Sequence, residues 1–271
     1  MGDIMKTYHD LTRLPAEKRI IALGNFDGVH RGHQPIIEHA VKKARELEAE
    51  AAVFLFDPHP MERIFPQRQY HLLTTPLQRG AILKDLGIDS LILVDFTDEM
   101  MHMEPLTFVQ EILINACGAI GLSVGYDYSF GFQGQGTVSL LQEFLQQKNL
   151  LLSVQPVVEY LGMPVSSTRI RQAINVGDIV LVNELLGREH QVSARFFLQP
   201  CGSYRVEVWP NLMIPKTGRF HVEWGSEKWG FHKGELISID PGVFRLLCEQ
   251  RVPQDRWLTL RFLSNTTLQK A

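Results

Sequence analysis

Two histidines, three positions apart, follow a short apolar run near the start of the chain. The run "RIIAL" leads into "GNFDGVHRGHQ", which contains His30 and His33. Glycine-rich backbone can approach an anion closely, and a helix beginning after it offers free N–H groups and the positive end of its dipole. Imidazoles at positions i and i+3 lie on one side of such a helix start and can donate to oxygens that gain charge during phosphoryl or nucleotidyl transfer. The stretch therefore predicts a phosphate-binding loop.

Two other interpretations of these histidines stay open. A zinc site would need further ligands, and Cys or acidic residues at supporting spacing are missing. The histidines could also serve only to fill a turn. The glycines fit neither the dinucleotide pattern G-x-G-x-x-G nor the Walker pattern with its lysine, so a phosphate loop here is of another type.

Apolar strand-like runs alternate with amphipathic segments through the first part of the chain. The predicted strands are "RIIALG", "AAVFLF", "SLILVDF", "AIGLSVG" and "LLLSVQPVV", and the predicted helices are "PIIEHAVKKARELEAE", "PLQRGAILKDLG", "PLTFVQEILINACG" and "TVSLLQEFLQQK". This alternation predicts an α/β fold with a parallel sheet covered on both faces. Ligands of such sheets bind at the carboxyl ends of the strands. Those ends carry "GNFDGVHRGH", "DPHP" and "VGYDYSFGFQGQG", so we expect the three stretches to converge on one cleft.

The character of the chain changes near Arg188. From Arg188 onward there are 12 Lys and Arg against 8 Asp and Glu, a net charge of +4, whereas the preceding part carries −7. All four tryptophans also follow this point, in short alternating segments separated by turn-forming residues. That pattern predicts a small antiparallel sheet or barrel. We therefore expect two domains, residues 1–187 and residues 188–271.

The composition excludes several classes of protein. Of the 271 residues, 45% are hydrophobic, which is too apolar for a disordered chain. The apolar runs are short and broken, so none predicts a membrane span, and the first residues lack the continuous apolar core of a secretory signal. The three cysteines have no paired spacing, which indicates a reducing, cytoplasmic location. The oligomeric state is left open.

Four motifs, taken in order, resemble those of the prokaryotic bifunctional riboflavin kinase/FMN adenylyltransferases, the FAD synthetase family. "GNFDGVHRGH" is similar to the H-x-G-H motif of the nucleotidylyltransferase superfamily, "FDPHP" to the family's second motif, "VGYDYSFG" to its third and "VSSTRIRQAINVGDIVLVNELLGR" to its fourth. The resemblance implies a Rossmann-like nucleotidylyltransferase domain followed by a small β-barrel-like domain. It also implies transfer of AMP from ATP to FMN, giving FAD and pyrophosphate, with Mg²⁺ bound mainly through the ATP phosphates.

The resemblance also implies a role for each matching residue. His30 and His33 would contact the ATP phosphates and stabilise charge at the α-phosphorus, together with Arg169. The remaining expected contacts are Gly24, Asn25, Phe26 and Asp27 around the adenylate, Ser166, Ser167, Thr168 and Arg169 on the triphosphate, and Pro58, His59, Pro60, Asp127 and Tyr128 around the flavin. A helix N-cap with a surface arginine is the alternative for the serine-rich motif, and a rigid turn after a strand is the alternative for "DPHP". No residue is expected to ligate a metal directly.

The chain departs from the family pattern in two places. The third motif usually continues as D-F-R-F-G-K-x-R-x-G, and here Ser129, Phe132 and Gly134 stand in place of the three cations. The P-T-A-N segment of the kinase half is missing from the sequence, so we expect a shortened kinase-like barrel without kinase activity. Two alternatives follow, a nucleotidylyltransferase with a different acceptor and a regulatory paralogue that binds flavin or nucleotide. A net charge of +4 is too modest to favour a nucleic-acid partner.

Overall fold

The chain forms two compact units. The computed structural model describes residues 5–67, 70–240, 242–254 and 256–265. The first unit runs to Tyr70 and continues from Pro76 to Pro164, while the second comprises His71–Thr75 and the chain from Val165 onward. A short internal segment of sequence thus belongs with the second unit.

A six-stranded parallel sheet forms the centre of the first unit, in the order β1-β4-β3-β2-β5-β6. The strands are β1 (Lys6–Tyr8), β2 (Arg19–Leu23), β3 (Glu50–Phe56), β4 (Ser90–Val94), β5 (Ala119–Gly125) and β6 (Leu151–Gln155). The sequence predicted β2 to β6, and these strands are confirmed. It did not predict β1, whose three residues are mostly exposed. The strand order reverses between β2 and β5, which makes their carboxyl ends the switch point of the sheet.

Helices cover both faces of this sheet. They are α1 (Gln34–Glu46), α2 (Pro60–Ile64), α3 (Pro76–Asp85), α4 (Asp98–His102), α5 (Pro105–Thr107) and α6 (Val138–Gln147), with 3₁₀ turns at Leu11–Arg13 and Phe132–Gly134. A hairpin of β7 (Glu159–Tyr160) and β8 (Met163–Pro164) follows β6. Alternate residues of β2 point to opposite sides, so that Ile21 joins one apolar cluster and Ile20 and Ala22 the other. The predicted α/β architecture is therefore confirmed.

One helix differs from its predicted type. The segment "PLTFVQEILINACG" reads as a single α-helix, but only the turn α5 is α-helical and Phe108–Ala116 is a π-helix. At its end the Cys117 N–H donates to the carbonyl of Ile112, five residues back. The buried residues Phe108, Val109 and Leu113 suit either helix type. Apolar spacing alone does not distinguish the two, because both place such residues on one face.

A buried arginine holds the amino-terminal edge of the sheet. Arg19, at the start of β2, is fully buried, and its Nε donates to Glu50 Oε2 at 2.7 Å. Its Nη1 donates to the carbonyls of Pro15 at 3.1 Å and Cys117 at 3.0 Å. The side chain thereby joins β2, β3 and the end of the π-helix at the amino-terminal ends of the strands.

The second unit contains a closed antiparallel barrel in the order β10-β13-β12-β11-β14-β9. Its strands are β9 (His190–Leu198), β10 (Tyr204–Val208), β11 (Gly218–Ser226), β12 (Gly230–Asp240), β13 (Val243–Leu247) and β14 (Leu258–Asn265), preceded by α7 (Ser167–Asn175) and α8 (Ile179–Leu186). The predicted barrel is confirmed. Five of its strands were predicted from "QVSARFFL", "SYRVEVW", "RFHVEWG", "KGELISI" and "WLTLRFL", and the sequence did not indicate β13. Contacts divide the units at Val165, ahead of the change in composition at Arg188. The boundary between residues 187 and 188 stays a prediction.

None of the helices in the described part of the chain combines the length and apolarity needed to cross a bilayer. All three cysteines are free thiols: Cys117 is buried, Cys248 is partly buried and Cys201 is exposed.

A buried histidine begins the first strand of the barrel. His190 begins β9, is 1% exposed, and its Nε2 lies 2.9 Å from the carbonyl oxygen of Met213. Burial lowers the pKa of His190 to about 4; the Met213 carbonyl opposes this shift and Arg188 adds to it. The folded protein therefore keeps this imidazole neutral, with Nε2–H donating to Met213.

We expect the stability of the barrel to fall between pH 6.5 and pH 4. An unfolded histidine takes up a proton near pH 6.5, whereas the folded chain does so only near pH 4. The folded state then binds fewer protons, so this contribution is complete above pH 6.5 and is lost, by about 3 kcal/mol, as pH falls to 4. Urea unfolding followed by tryptophan fluorescence measures it. His190→Gln keeps a donor that does not titrate, and an unchanged pH dependence in that variant would contradict the assignment.

Candidate active site

The loop after β2 has an unusual backbone. Phe26 and Val29 adopt left-handed φ angles of 46° and 38°, and Gly28, between them, has φ 82°. For residues with a side chain this conformation costs on the order of 1–2 kcal/mol each. Both side chains are fully buried, and the Val29 N–H donates to the Phe26 carbonyl at 3.0 Å. Packing thus stabilises a loop shape that an isolated peptide would avoid.

This loop brings the two predicted histidines together. His30 is 3% exposed, and its ring stacks on that of His33 with centroids 3.5 Å apart and planes at 21°. The ring of Phe26 meets His33 edge-on at 5.2 Å. The Gly32 N–H donates to His30 Nδ1 at 3.1 Å, so Nδ1 carries no proton while this bond is made. The proton of the neutral ring is then on Nε2, which makes Nε2–H the donor of His30.

The expectation of free amides at the start of α1 is wrong. The N–H groups of His33 and Gln34 donate to the carbonyl of His30, and those of Ile36 and Ile37 donate to the carbonyl of His33. Pro35, in the first turn, has no N–H. The turn uses these donors itself, so these amides are not available to bind an anion.

A buried arginine that the sequence did not single out lies beside the loop. Arg79 of α3 is 5% exposed, and its Nη1 donates to the carbonyl of Asn25 at 3.0 Å. Burial lowers the pKa of Arg79, while the carboxylates of Asp27 and Asp57 act in the opposite direction. Asp27 is itself 2% exposed. Nothing in "PLQRGAIL" distinguishes this arginine from one on an exposed helix face.

A cavity of about 400 Å³ opens at the carboxyl ends of the strands. Five predicted residues lie on its wall: Gly24, Asn25, Pro60, Asp127 and Tyr128. The sequence missed most of the apolar wall, which consists of Leu23, Phe54, Phe56, Met61, Ile64, Phe96, Met100, Phe108 and Phe130. Phe54 and Phe56 alternate at the end of β3, which could have marked them. The convergence of the three loop regions on one cleft is confirmed, because all three contribute to this wall.

The loop after β5 is fitted closely against the wall. Gly131 has φ 71°, and a Cβ there would lie 2.6 Å from Pro105 Cα, so glycine is required. The Phe132 N–H donates to the Met103 carbonyl at 2.8 Å. Tyr128 stacks with Phe130 at 5.5 Å, and burial raises the pKa of Tyr128. Its phenol therefore stays protonated and uncharged at the cavity.

The "DPHP" motif contributes one residue to the wall. Pro60 lies there, whereas Pro58 and His59 are not among the lining residues. His59 is 5% exposed; its Nδ1 accepts from the Met61 N–H at 3.2 Å, which caps α2. Its ring stacks on Tyr70 at 4.5 Å. His59 thus caps the start of α2, the helix that carries Met61 and Ile64 on the cavity wall.

The serine-rich motif lies in the second unit, at the start of α7. Ser166 is the N-cap, and its Oγ accepts from the Arg169 N–H at 3.2 Å. Ser167, Thr168 and Arg169 form the first turn. The capping geometry considered for this motif is therefore present, and it fixes the start of α7.

Comparison with known proteins connects these motifs to a family. Residues 13–169 match the FAD synthetase family. A bifunctional riboflavin kinase/FMN adenylyltransferase from Pseudomonas fluorescens is 32% identical over 193 residues, which is 70% of this chain and 62% of that protein. One from Listeria monocytogenes is 31% identical over 215 residues, 76% of this chain and 67% of that protein. The chain thus spans about 62% of the length of the Pseudomonas relative.

A solved structure shows the same fold over nearly the whole chain. The crystal structure of a macrolide-efflux protein from Streptococcus pneumoniae has a TM-score of 0.87 and covers 97% of this chain and 91% of that one, at 22% identity. At that identity the likeness concerns the fold alone. The family match covers more than half of the chain, including the histidine loop and the cavity wall. The chain therefore belongs to the FAD synthetase family.

Proposed function

We propose that the chain transfers AMP from ATP to FMN and releases pyrophosphate. The proposal rests on one observation: the loop that carries the stacked His30 and His33 also supplies Gly24 and Asn25 to the wall of the aromatic cavity. A histidine loop next to an aromatic cavity suits a reaction that joins an anionic nucleotide to a planar aromatic acceptor. Family membership supports the same reaction.

In this reaction a phosphate oxygen of FMN attacks the α-phosphorus of ATP. A new P–O bond joins the two phosphates, the bond from the α-phosphorus to the bridging oxygen breaks, and pyrophosphate leaves with its electron pair. The attacking phosphate is already an anion, so no general base is required. Catalysis then rests on positioning and on donors aimed at the developing charge. Nε2–H of His30 and the stacked ring of His33 have this role, with Gly24, Asn25, Phe26 and Asp27 shaping the adenylate pocket.

The cavity suits the ring system of a flavin. Phe54, Phe56, Phe96 and Phe108 provide flat apolar surface, on which an aromatic ring packs well. The protonated phenol of Tyr128 adds no charge, and Asp127 lies at the exposed edge. Pro60 borders the same space, and His59 supports the wall by capping α2. Pro58 is proposed to border the flavin beside them. The flavin phosphate would then extend out of the apolar region toward the nucleotide.

The triphosphate is proposed to enter as its Mg²⁺ complex. Within the described ranges, no group of three or more His, Cys, Asp or Glu side chains is arranged to hold a metal ion. Mg²⁺ retains waters and is commonly bound through substrate phosphates. Ser166, Ser167, Thr168 and Arg169 are proposed to bind the triphosphate, since hydroxyls at a helix start and an arginine suit phosphate oxygens. The cytoplasm, where ATP and FMN are available, is the proposed location.

One observation favours a second candidate, nucleotidyl transfer to a different aromatic acceptor. The cavity wall, all of it within the described residues, includes Asp127 but neither lysine nor arginine. Ser129 and Gly134 lie on that wall where the resembling family motif carries cations. An acceptor without a phosphate would need no cation from this wall, although its hydroxyl would need a base that FMN does not need.

The second unit is proposed to lack riboflavin kinase activity. Its barrel is closed, but the P-T-A-N segment that holds Mg-ATP in the kinase half is missing from the sequence. Formation of FMN from riboflavin and ATP by the purified protein would contradict this proposal.

Replacement of His30 tests the proposed catalytic loop. We expect His30→Ala to lower the rate of FAD formation by about 10²–10³-fold, because one donor to the developing charge is lost, with little effect on thermal stability. The measurement is initial-rate chromatography of FAD from FMN and ATP. His39→Ala is the matched control, since His39 lies on α1 outside the loop. Equal rates in His30→Ala and the control would contradict the assignment.

Replacement of Ser129 tests the acceptor. If FMN is the substrate, Ser129→Arg should lower its KM by about 3–10-fold, because an exposed cation near the phosphate adds roughly 1 kcal/mol of attraction. Ser139→Arg adds the same charge on the first turn of α6, away from the cavity wall. An unchanged or raised KM in Ser129→Arg, relative to that control, would favour an acceptor without a phosphate.

A further inference from the structure

Arg79 is a buried cation that the proposed reaction leaves without a role. It lies on α3, at 5% exposure, and its Nη1 donates to the backbone carbonyl of Asn25 at 3.0 Å. The charged or titratable groups that act on it are Asp27, Asp57, Tyr70 and Glu62. Burying a guanidinium is costly unless its surroundings compensate it. Its placement against the loop, rather than at the surface, is the feature to be explained.

The bond from Arg79 falls at the one stretch of the loop where the backbone needs support. Asn25 directly precedes Phe26, which has positive φ, as do Gly28 and Val29 further along the loop. Phe26 then packs edge-on against His33, and Val29 directly precedes His30. A shift of the Asn25 carbonyl would therefore move both the Phe26 ring that contacts His33 and the backbone that positions His30.

We propose that Arg79 is a positioning residue, whose guanidinium fixes the Asn25 carbonyl so that the loop presents His30 and His33 to the triphosphate. This inference rests on the proposed function for the identity of the substrate. Arg79 does not line the cavity, so its effect on the acceptor is indirect. A guanidinium suits this task, because its planar group of N–H donors holds a carbonyl in a fixed direction.

Two substitutions separate positioning from general stabilisation. Arg79→Met removes the donors and the charge, and we expect kcat per folded molecule to fall by about 10–100-fold, the effect of a small misplacement of catalytic groups. KM for FMN should change by less than about 3-fold, because Arg79 does not line the cavity and the aromatic part of the wall is unchanged. Arg79→Lys keeps the charge but loses the planar guanidinium, so its kcat should lie between those of Arg79→Met and the native protein. The matched control is Arg45→Met, which removes an arginine ion-paired with Asp89 at the surface of the same unit.

A spectroscopic measurement gives a readout besides activity. In protein with ¹⁵N-labelled histidine at pH 8, the Gly32–His30 bond predicts an unprotonated Nδ1 and a protonated Nε2 for His30. We expect Arg79→Met to weaken this preference and Arg45→Met to leave it unchanged. If Arg79→Met does not fold, Arg79→Lys is measured in the same two ways.

The outcomes distinguish this inference from the proposed function. Reduced kcat together with altered His30 signals supports positioning by Arg79. Native kcat per folded molecule, or native His30 signals, in every folded Arg79 variant overturns it. A native protein that makes no FAD overturns the proposed function instead, and the His30 signals with calorimetric binding of Mg-ATP then decide on Arg79 alone.

Discussion

The reversal of strand order between β2 and β5 is the constraint on which the functional part of the first unit depends. Connections from β2 and β5 leave the sheet in opposite directions, so a crevice forms at their carboxyl ends. The histidine loop follows β2 and the Asp127–Gly131 loop follows β5, on either side of that crevice. Because β2 is buried along its whole length, its end is fixed, and the loop that leaves it begins from a rigid point.

The histidine loop, which begins at this rigid point, combines unfavourable backbone conformations with buried polar groups. The loop adopts left-handed backbone at Phe26 and Val29, stacks its two imidazoles and buries the carboxylate of Asp27. Burial of the two apolar side chains and the bond from Arg79 supply the support. The cavity wall, in contrast, consists of aromatic surface and the uncharged phenol of Tyr128. In this part of the first unit, the buried charged residues Asp27 and Arg79 lie at the histidine loop, and aromatic surface lines the cavity.

Much of this could be predicted from the sequence, because apolar runs and helical periodicity record which faces are buried. The strands β2 to β6, the barrel and the pairing of His30 with His33 follow from local pattern and spacing. The π-helix could not be predicted, since its apolar residues have the spacing of an α-helix. Arg79 could not be identified either, because its burial and its bond to Asn25 depend on packing between distant segments. The amides of α1 were assigned wrongly, although Pro35 was a visible sign that the first turn has fewer donors.

Adenylyl transfer to FMN by the histidine loop is tested most directly by following the phosphorus atoms of ATP into the products. Purified protein is incubated with FMN, Mg²⁺ and ATP labelled at either the α- or the γ-phosphate, and the products are separated by chromatography. We expect the α-label to appear in FAD and the γ-label in pyrophosphate, in equal amounts. Unlabelled FAD, γ-label transferred to a flavin, or the absence of FAD from an ATP-binding protein would contradict the claim.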